Sequence, residues 1–331
     1  MFSIQPSYQA PSALYIKAEP YTTKAPSPPP LHVPHSSWSH PVKVLPRYDN
    51  VDPSSLSKED LAIITQNGVE QVSIDAATNW TYESRRKAQT ILDFLYLGPL
   101  SAARDIRWLR HEGITMILAA RDYRLAGLGI MSVDSLAKEM GIEVRYVDVS
   151  NYQELIRAFP TAVRLINDHM LRIYREQAVE TSREQANVRD NGTMVVDTAK
   201  FRRGKVLVFC ETGNDRSAGV TCAYLMALLG MSAVEAFQFI NYKRFCISMD
   251  EDLKQTLRNY EDILLAQRTV HQHEFRSNLI NDRIPNNRAK RGIDETVDED
   301  GDGGMTGMDS YMSSDRDRFI GRDRFAPFID A

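Results

Sequence analysis

The sequence predicts an α/β fold in which helices flank a central sheet, and two observations support this. Between about residues 80 and 267, apolar segments of strand length alternate with segments whose apolar residues recur at helical spacing. A polar loop, residues 211–215, follows the apolar run 206–209 and precedes an apolar helical stretch. Ligands of α/β sheets bind beyond the carboxyl ends of strands, so this loop marks the candidate site.

Periodicity and capping residues predict the elements in order. The first strand, 91–97, ends at Gly98, and a helix capped by Ser101 covers 102–111 until Gly113 stops it. The remaining predicted elements are strands 114–120, 142–149 and 206–209 and helices 132–140, 160–174, 217–229, 232–242 and about 250–267.

Composition sets the predicted boundaries. Ten of the fifteen prolines lie in the first fifty residues, so 1–51 is predicted to be a disordered proline-rich tail. Residues 52–78 form a short helical lead-in, with a cap-like start at Ser57. The main domain is predicted at 79–268, with a polar surface insertion at 177–203 that lacks periodicity. The acidic and glycine-rich remainder, 269–331, is predicted to be a disordered tail.

The overall charge and the cysteines narrow the class of protein. A net charge of −4 gives no indication of nucleic-acid binding, and three cysteines in 331 residues do not form a disulfide framework. The start lacks the apolar core of a signal peptide, and no apolar run reaches transmembrane length. No metal-binding cluster and no cofactor motif is evident. We therefore expect a protein of the cytoplasm, the nucleus or both, without a membrane partner.

The loop from Cys210 to Arg216 has the chemistry of a phosphate site. Backbone N–H groups of Glu211, Thr212, Gly213, Asn214, Asp215 and Arg216 are predicted to surround the anion, and the following helix adds its positive N-terminus. Arg216 can bind two phosphate oxygens with its planar guanidinium. Cys210 would lie beneath the phosphorus, where the same field lowers its thiol pKa from about 8.5. Gly213 is expected to allow a positive φ and a close approach to the ligand.

The loop resembles that of the dual-specificity cysteine phosphatases, and other segments narrow the resemblance to the serine/threonine/tyrosine-interacting (STYX) family. The matching segments are residues 80–86, 97–103, 111–115, 159–160 and 244–247, within about 79–265. The resemblance implies a dual-specificity phosphatase fold and a pseudophosphatase that binds phosphorylated Ser, Thr or Tyr segments. It also implies partners such as MAP kinases or F-box ubiquitin-ligase adaptors. The family has glycine at the nucleophile position, whereas this chain has Cys210, so inactivity does not carry over.

Some residues of the loop and its surroundings favour catalysis, and others oppose it. Cys210 supplies a nucleophile, Arg216 a clamp for the transition state, and Ser217 a hydroxyl that assists the leaving thiolate. The histidine that active relatives carry before the cysteine is replaced by Phe209, and Glu211 and Asp215 add carboxylates to the loop.

No aspartate lies in the loop where the family resemblance places the general acid. Asp148 is the first candidate for that role and Glu154 the second, while Asn151 could hold the place without donating a proton.

Three functions remain open from sequence. The first is a phosphoprotein-interacting protein with weak or specialised phosphatase activity. The alternative is an active dual-specificity phosphatase that forms a phosphocysteine at Cys210. The third is a redox-sensing thiol protein, although no resolving cysteine is evident.

Overall fold

A five-stranded mixed sheet forms the centre of the structure, a computed structural model that describes residue 30 and residues 42–74, 79–186 and 201–283. Its strands lie in the order β3-β4-β7-β5-β6, with β3 antiparallel to β4 and the other neighbours parallel. Two earlier strands pair antiparallel in a separate small sheet. The strands are β1 Val42–Val44, β2 Gln71–Ser73, β3 Gln89–Leu92, β4 Leu95–Pro99, β5 Met116–Asp122, β6 Glu143–Val149 and β7 Val206–Cys210.

Helices pack on both faces of the five-stranded sheet. They are α1 Lys58–Thr65, α2 Leu100–Ala103, α3 Ile106–Glu112, α4 Tyr123–Ala126, α5 Asp134–Met140, α6 Tyr152–Ala186, α7 Arg216–Leu229, α8 Ala233–Lys243 and α9 Glu251–Arg283. Two 3₁₀ turns cover Tyr48–Asn50 and Tyr82–Arg86. One apolar cluster, which contains most of the buried face of α7, lies on one side of the sheet, and a second cluster around α3 and α5 lies on the other.

The central strand β7 positions the candidate site. All five of its residues are buried, as expected for a parallel strand covered on both faces. Its last residue, Cys210, lies opposite Pro99 of β4, and Phe209 lies opposite Ala119 of β5. The sulfur therefore lies where the carboxyl ends of three parallel strands meet.

The predicted fold class is confirmed, but several predicted elements are wrong in detail. The helix predicted at 160–174 begins earlier, at Tyr152, and contains Pro160. The single strand 91–97 is a hairpin, because the chain turns at Asp93 and Phe94 between β3 and β4. The single helix 102–111 is two short helices, because the Asp105 carboxylate accepts from the Trp108 amide and starts α3 anew. The stop at Gly113, which has a φ of +71°, is as predicted.

The lead-in at 52–78 is longer and more firmly packed than predicted. Ser57 caps α1 through the Asp60 amide, as expected, but the strand pair β1–β2 was missed. Side chains of this segment enter the main apolar cluster: Val51, Leu56, Leu61 and Ile64. The packed core therefore begins near residue 42, ahead of the predicted domain start at 79.

The predicted insertion and tails fall partly outside the described residues. Helix α6 continues to Ala186, well into the predicted insertion, and α9 continues to Arg283 beyond the predicted domain end at 268. Residues 187–200 of the insertion and most of 1–51 and 269–331 lie outside the described part of the chain. The chain divides into two compact units, Met1–Leu279 and Ile280–Ala331, and the site described below belongs to the first.

At the amino ends of β5 and β6, away from the candidate site, buried polar side chains form a hydrogen-bonded cluster. The imidazole of His169 contacts Thr115 Oγ1 through Nε2 and Glu143 Oε2 through Nδ1, both at 2.7 Å. Gly204 packs so closely on Thr115 and His169 that a Cβ there would lie 2.8 Å from the Thr115 hydroxyl. Burial lowers the pKa of His169, because the charged imidazolium loses solvent.

Within the ranges that the structure describes, no single helix is both long and apolar enough to cross a membrane. The consecutive helices α7 and α8 are long and apolar enough only when they are counted as one segment, and they meet at a bend of 119°.

Candidate functional site

The Cys210 side chain lies at the floor of a loop that connects β7 to α7. The side chain is 2% exposed, and its sulfur has three hydrogen-bond contacts. The Gly213 amide donates to Sγ over 3.2 Å and the Ser217 hydroxyl donates over 3.0 Å. The thiol itself donates to Asp215 Oδ1 over 3.1 Å. Ser217 is fully buried at this position, where its hydroxyl can support a thiolate leaving group.

Gly213 is required by the backbone of the loop. Its φ is +76°, and a Cβ at this position would lie 2.5 Å from the carbonyl carbon of Gly98. The left-handed conformation expected from sequence is present. The close approach, however, is to the end of β4, whereas the sequence led us to expect an approach to the ligand.

Arg244 shapes the loop from behind. It is fully buried, and its Nε donates to Gly213 O while Nη2 donates to Thr212 O, both over 3.0 Å. Further acceptors of the same guanidinium are Asn214 Oδ1, Arg85 O, Lys87 O and Gln89 Oε1. The carbonyls of the loop are thus held on the outer side. This role was not predicted from the sequence, although an arginine directly after an apolar helix was a usable signal.

Arg216 lies at the first turn of α7 beside two groups from other elements. Its Nη2 is 3.4 Å from Asp122 Oδ2, and its guanidinium carbon is 5.7 Å from the ring centre of Tyr152. Its Nε is buried and has no hydrogen-bond partner among the described residues. Arg216 therefore retains a donor for an anion, as its predicted role requires.

Asp122 was missed by sequence reasoning, although a carboxylate ending a strand beside the loop was a usable signal. It ends β5 and is buried, with its oxygens bound by Arg124 as well as by Arg216. Hydrogen bonds from the side chain and backbone of Arg124 hold the pKa of Asp122 well below its usual range. Asp122 thus fixes one edge of the Arg216 guanidinium.

The side chains of the loop point in different directions. Glu211 is exposed, and Thr212 Oγ1 accepts from the Asn214 amide. Asp215 turns inward instead: its Oδ1 accepts from the Arg216 amide over 2.5 Å and contacts Cys210 Sγ.

The environment of the sulfur contradicts the expected direction of its pKa. Burial raises the pKa of the Cys210 thiol, and the nearby Asp215 carboxylate raises it further, while the bonds from Ser217 lower it. The expected decrease in this pKa rested on the positive loop and helix, whereas the structure places the Asp215 carboxylate against the sulfur. Phe209, in the position of the missing histidine, is fully buried in the apolar cluster beside α3.

The two candidates for the general acid have other partners in the structure. Asp148 lies on β6, and both of its oxygens accept from Arg121, at 2.5 and 3.2 Å. Glu154 accepts from the Ser150 amide, while Asn151 Oδ1 accepts from the Glu154 amide, so both cap α6.

Tyr152 is the residue of this region that reaches the phosphate loop. Burial raises the pKa of Tyr152, with Asp215 and Asp250 adding to the effect. Its ring centre lies 5.7 Å from the guanidinium carbon of Arg216, so the aromatic ring borders the loop. Among the described residues, no group of three His, Cys, Asp or Glu side chains is arranged to hold a metal ion.

Comparisons with known proteins identify similar sequences and structures. The family model described as "Dual specificity phosphatase, catalytic domain" matches residues 166–263. The serine/threonine/tyrosine-interacting protein of Mus musculus is 30% identical over 198 residues, which cover 59% of this chain and 74% of the mouse protein. The related protein B of Xenopus laevis is 29% identical over the same shares. The crystal structure of the human tyrosine phosphatase-like serine/threonine/tyrosine-interacting protein matches at 28% identity with a TM-score of 0.40, covering 54% of this chain and 99% of that one.

Proposed function

The chain belongs to the family of the serine/threonine/tyrosine-interacting proteins, and from this premise we propose that it binds phosphorylated proteins through residues 210–216 and hydrolyses them weakly at most. The name of the relatives suggests the ligand class, phosphorylated Ser, Thr or Tyr. One observation carries the proposal. Beside the unpaired Nε of Arg216, the cysteine of the loop is hydrogen-bonded as a thiol to a carboxylate.

Binding rests on donors that the fold holds in place. Arg216 is fixed by Asp122, and its Nε is available to a phosphate oxygen. The positive end of α7 lies at the same place, at the Arg216 amide, which the Asp215 carboxylate caps in this structure. Arg244 keeps the loop carbonyls away from the anion, so that repulsion between oxygen atoms does not oppose binding.

Two features of the same site limit turnover. Attack on phosphorus needs the Cys210 thiolate, but burial and Asp215 favour the thiol. Breaking the ester bond of a serine or threonine phosphate needs a proton donor, and both carboxylate candidates are engaged by other groups. Ser217, finally, can assist the second step only if the first has formed a phosphocysteine.

The proposal is tested by calorimetry with matched phosphorylated and unphosphorylated peptides. We expect the full-length protein to bind only the phosphorylated member of each pair. Arg216→Ala should lose about 1.5–3 kcal/mol of binding free energy, as for hydrogen bonds to charged groups. Arg107→Ala, on the exposed face of α3, is the control for loss of an arginine. Equal binding of both peptides, or unchanged affinity in Arg216→Ala, would refute the phosphate site.

Turnover is tested separately with an activated aryl phosphate, whose aryloxide leaves without a proton. We expect slow hydrolysis that Cys210→Ser abolishes, with phosphopeptide binding retained because the donors remain. Rapid hydrolysis of a phosphopeptide would instead establish the alternative, an active dual-specificity phosphatase. Partners such as MAP kinases or an F-box adaptor stay predictions of the family resemblance, and a cytoplasmic or nuclear location stays a prediction from the sequence composition.

A further inference from the structure

The Asp215 carboxylate lies where the thiol and the first amide of α7 converge. Its Oδ1 is 2.5 Å from the Arg216 nitrogen and 3.1 Å from Cys210 Sγ. A capping carboxylate ordinarily accepts from the second or third amide of its helix. This one accepts from the first, which places it over the sulfur.

A phosphate bound by the loop needs the same groups. Its phosphorus would lie above Cys210 Sγ, and one of its oxygens would accept from the amide at the start of α7. The Asp215 Oδ1 already accepts from this amide, and it is negatively charged, as the phosphate is. A phosphate dianion and an inward Asp215 carboxylate cannot share the donor without strong repulsion.

We propose that Asp215 is an internal ligand of the phosphate loop, which a phosphorylated partner must displace before it can bind. This inference rests on the proposed function, because it assigns to the same site a built-in competitor. Displacement has a second consequence. Once the carboxylate leaves, the thiol loses its acceptor and keeps the donors Gly213 N–H and Ser217 Oγ–H, which favour a thiolate.

The charges around the sulfur agree with this assignment. The Asp215 carboxylate is the charged group that raises the pKa of Cys210, after burial. The opposing cation on the loop is Arg216, which Asp122 also contacts. Arg244 adds a positive charge from behind the loop. Ionisation of Cys210 would raise the pKa of the Arg244 guanidinium.

An opposite role for Asp215 makes opposite predictions. If the carboxylate were a general base for Cys210, its neutralisation would suppress the thiolate and any turnover. If it is a competitor, neutralisation should favour the thiolate and strengthen anion binding. The sign of the effect therefore distinguishes the two roles.

The first experiment measures tungstate binding to the full-length protein by calorimetry. Asp215→Asn keeps a hydrogen-bond acceptor for the Arg216 amide but removes the charge, and we expect about tenfold tighter binding. Asp215→Ser is a second neutral variant that should show the same direction. Glu211→Gln removes an equal charge from an exposed side chain of the same loop and measures the long-range contribution. We expect a clearly smaller effect from it.

The second experiment measures the rate of Cys210 alkylation by iodoacetamide against pH, with the modified cysteine located by mass spectrometry. We expect the thiol pKa to fall by about one unit in Asp215→Asn, since a unit charge at contact distance is removed. Thermal melts establish that each variant is folded.

The outcomes separate this inference from the proposed function. Tungstate affinity that is equal in wild type and both Asp215 variants would overturn the competitor and leave the phosphate site intact. Reduced alkylation in Asp215→Asn would overturn it in favour of the general base. If neither the wild type nor any variant binds tungstate, the proposed function fails, and the proposal that Asp215 competes with a bound anion fails with it. A lowered thiol pKa in that case still supports the contact between Asp215 and the sulfur.

Discussion

Replacing Arg244 by methionine should destabilise the protein and weaken its phosphate site together. Methionine keeps an unbranched stem in the fully buried position but removes every donor of the guanidinium. Six acceptors lose their partner, three of them on the phosphate loop. Net contributions of hydrogen bonds to a charged group are about 1.5–3 kcal/mol each but are not additive.

Two effects reduce the sum for Arg244. Its pKa is lowered by burial, which shows that the folded state already bears a desolvation cost for this cation. Water can also reach some of the loop carbonyls once the side chain is gone. We therefore expect a loss of about 3–5 kcal/mol in the free energy of unfolding, roughly the contribution of two hydrogen bonds to a charged group. Tungstate affinity should fall as well, because the loop amides lose their orientation.

Urea denaturation followed by circular dichroism measures the free energy of unfolding, and calorimetry measures the tungstate affinity. Arg107→Met, at an exposed position on α3, is the matched control and should stay within about 0.5 kcal/mol of wild type. Arg244→Lys keeps the charge without the planar fork and should also destabilise. A loss below about 1 kcal/mol in Arg244→Met would refute the role of Arg244 as the support of the loop.

Three further predictions follow from the structure. Gly213→Ala should unfold at a lower temperature and lose tungstate binding, because the left-handed backbone and the contact with β4 leave no room for a methyl group; normal melting would contradict the packing of this loop. Asp148→Asn should change the steady-state hydrolysis of phosphotyrosine by less than about threefold, since Arg121 engages both oxygens, whereas a loss of about a hundredfold would identify Asp148 as the acid. Stability should be highest above pH about 6.5, the pKa of histidine in unfolded chains, and should fall at lower pH, because His169 has a lowered pKa in the folded state. The melting temperature of the wild type should therefore decrease from pH 8 to pH 5.5, and this decrease should be smaller in His169→Gln.

The sequence predicted the fold class and the position of residues 211–215 between a strand and a helix, because both depend on local patterns. Alternating apolar segments identify strands and helices, and the spacing from Cys210 to Arg216 is a contiguous signal. Elements governed by distant contacts were missed. The pair β1–β2 forms between segments some thirty residues apart, and its short strands carry no alternation long enough to identify them.

The details of the site could not be predicted for a related reason. Whether Asp215 points in or out depends on the loop backbone, which Arg244 and the end of β4 determine from elsewhere in the chain. The partner of Arg216, Asp122, is 94 residues away in sequence. The direction of the Cys210 pKa depends on these orientations, so loop composition alone gave the wrong sign.

The packing of the N-terminal lead-in determines the smallest fragment that can fold. Ile64 is fully buried, and Val51, Leu56 and Leu61 are nearly so, all against the main apolar cluster. Asn50 donates to Leu229 O at the end of α7, and Arg268 bonds both Asn50 O and Met226 O. A fragment that began at residue 79, where the family resemblance begins, would expose this apolar surface to water and invite aggregation. The segment ahead of the recognisable domain is thus an integral part of its hydrophobic core.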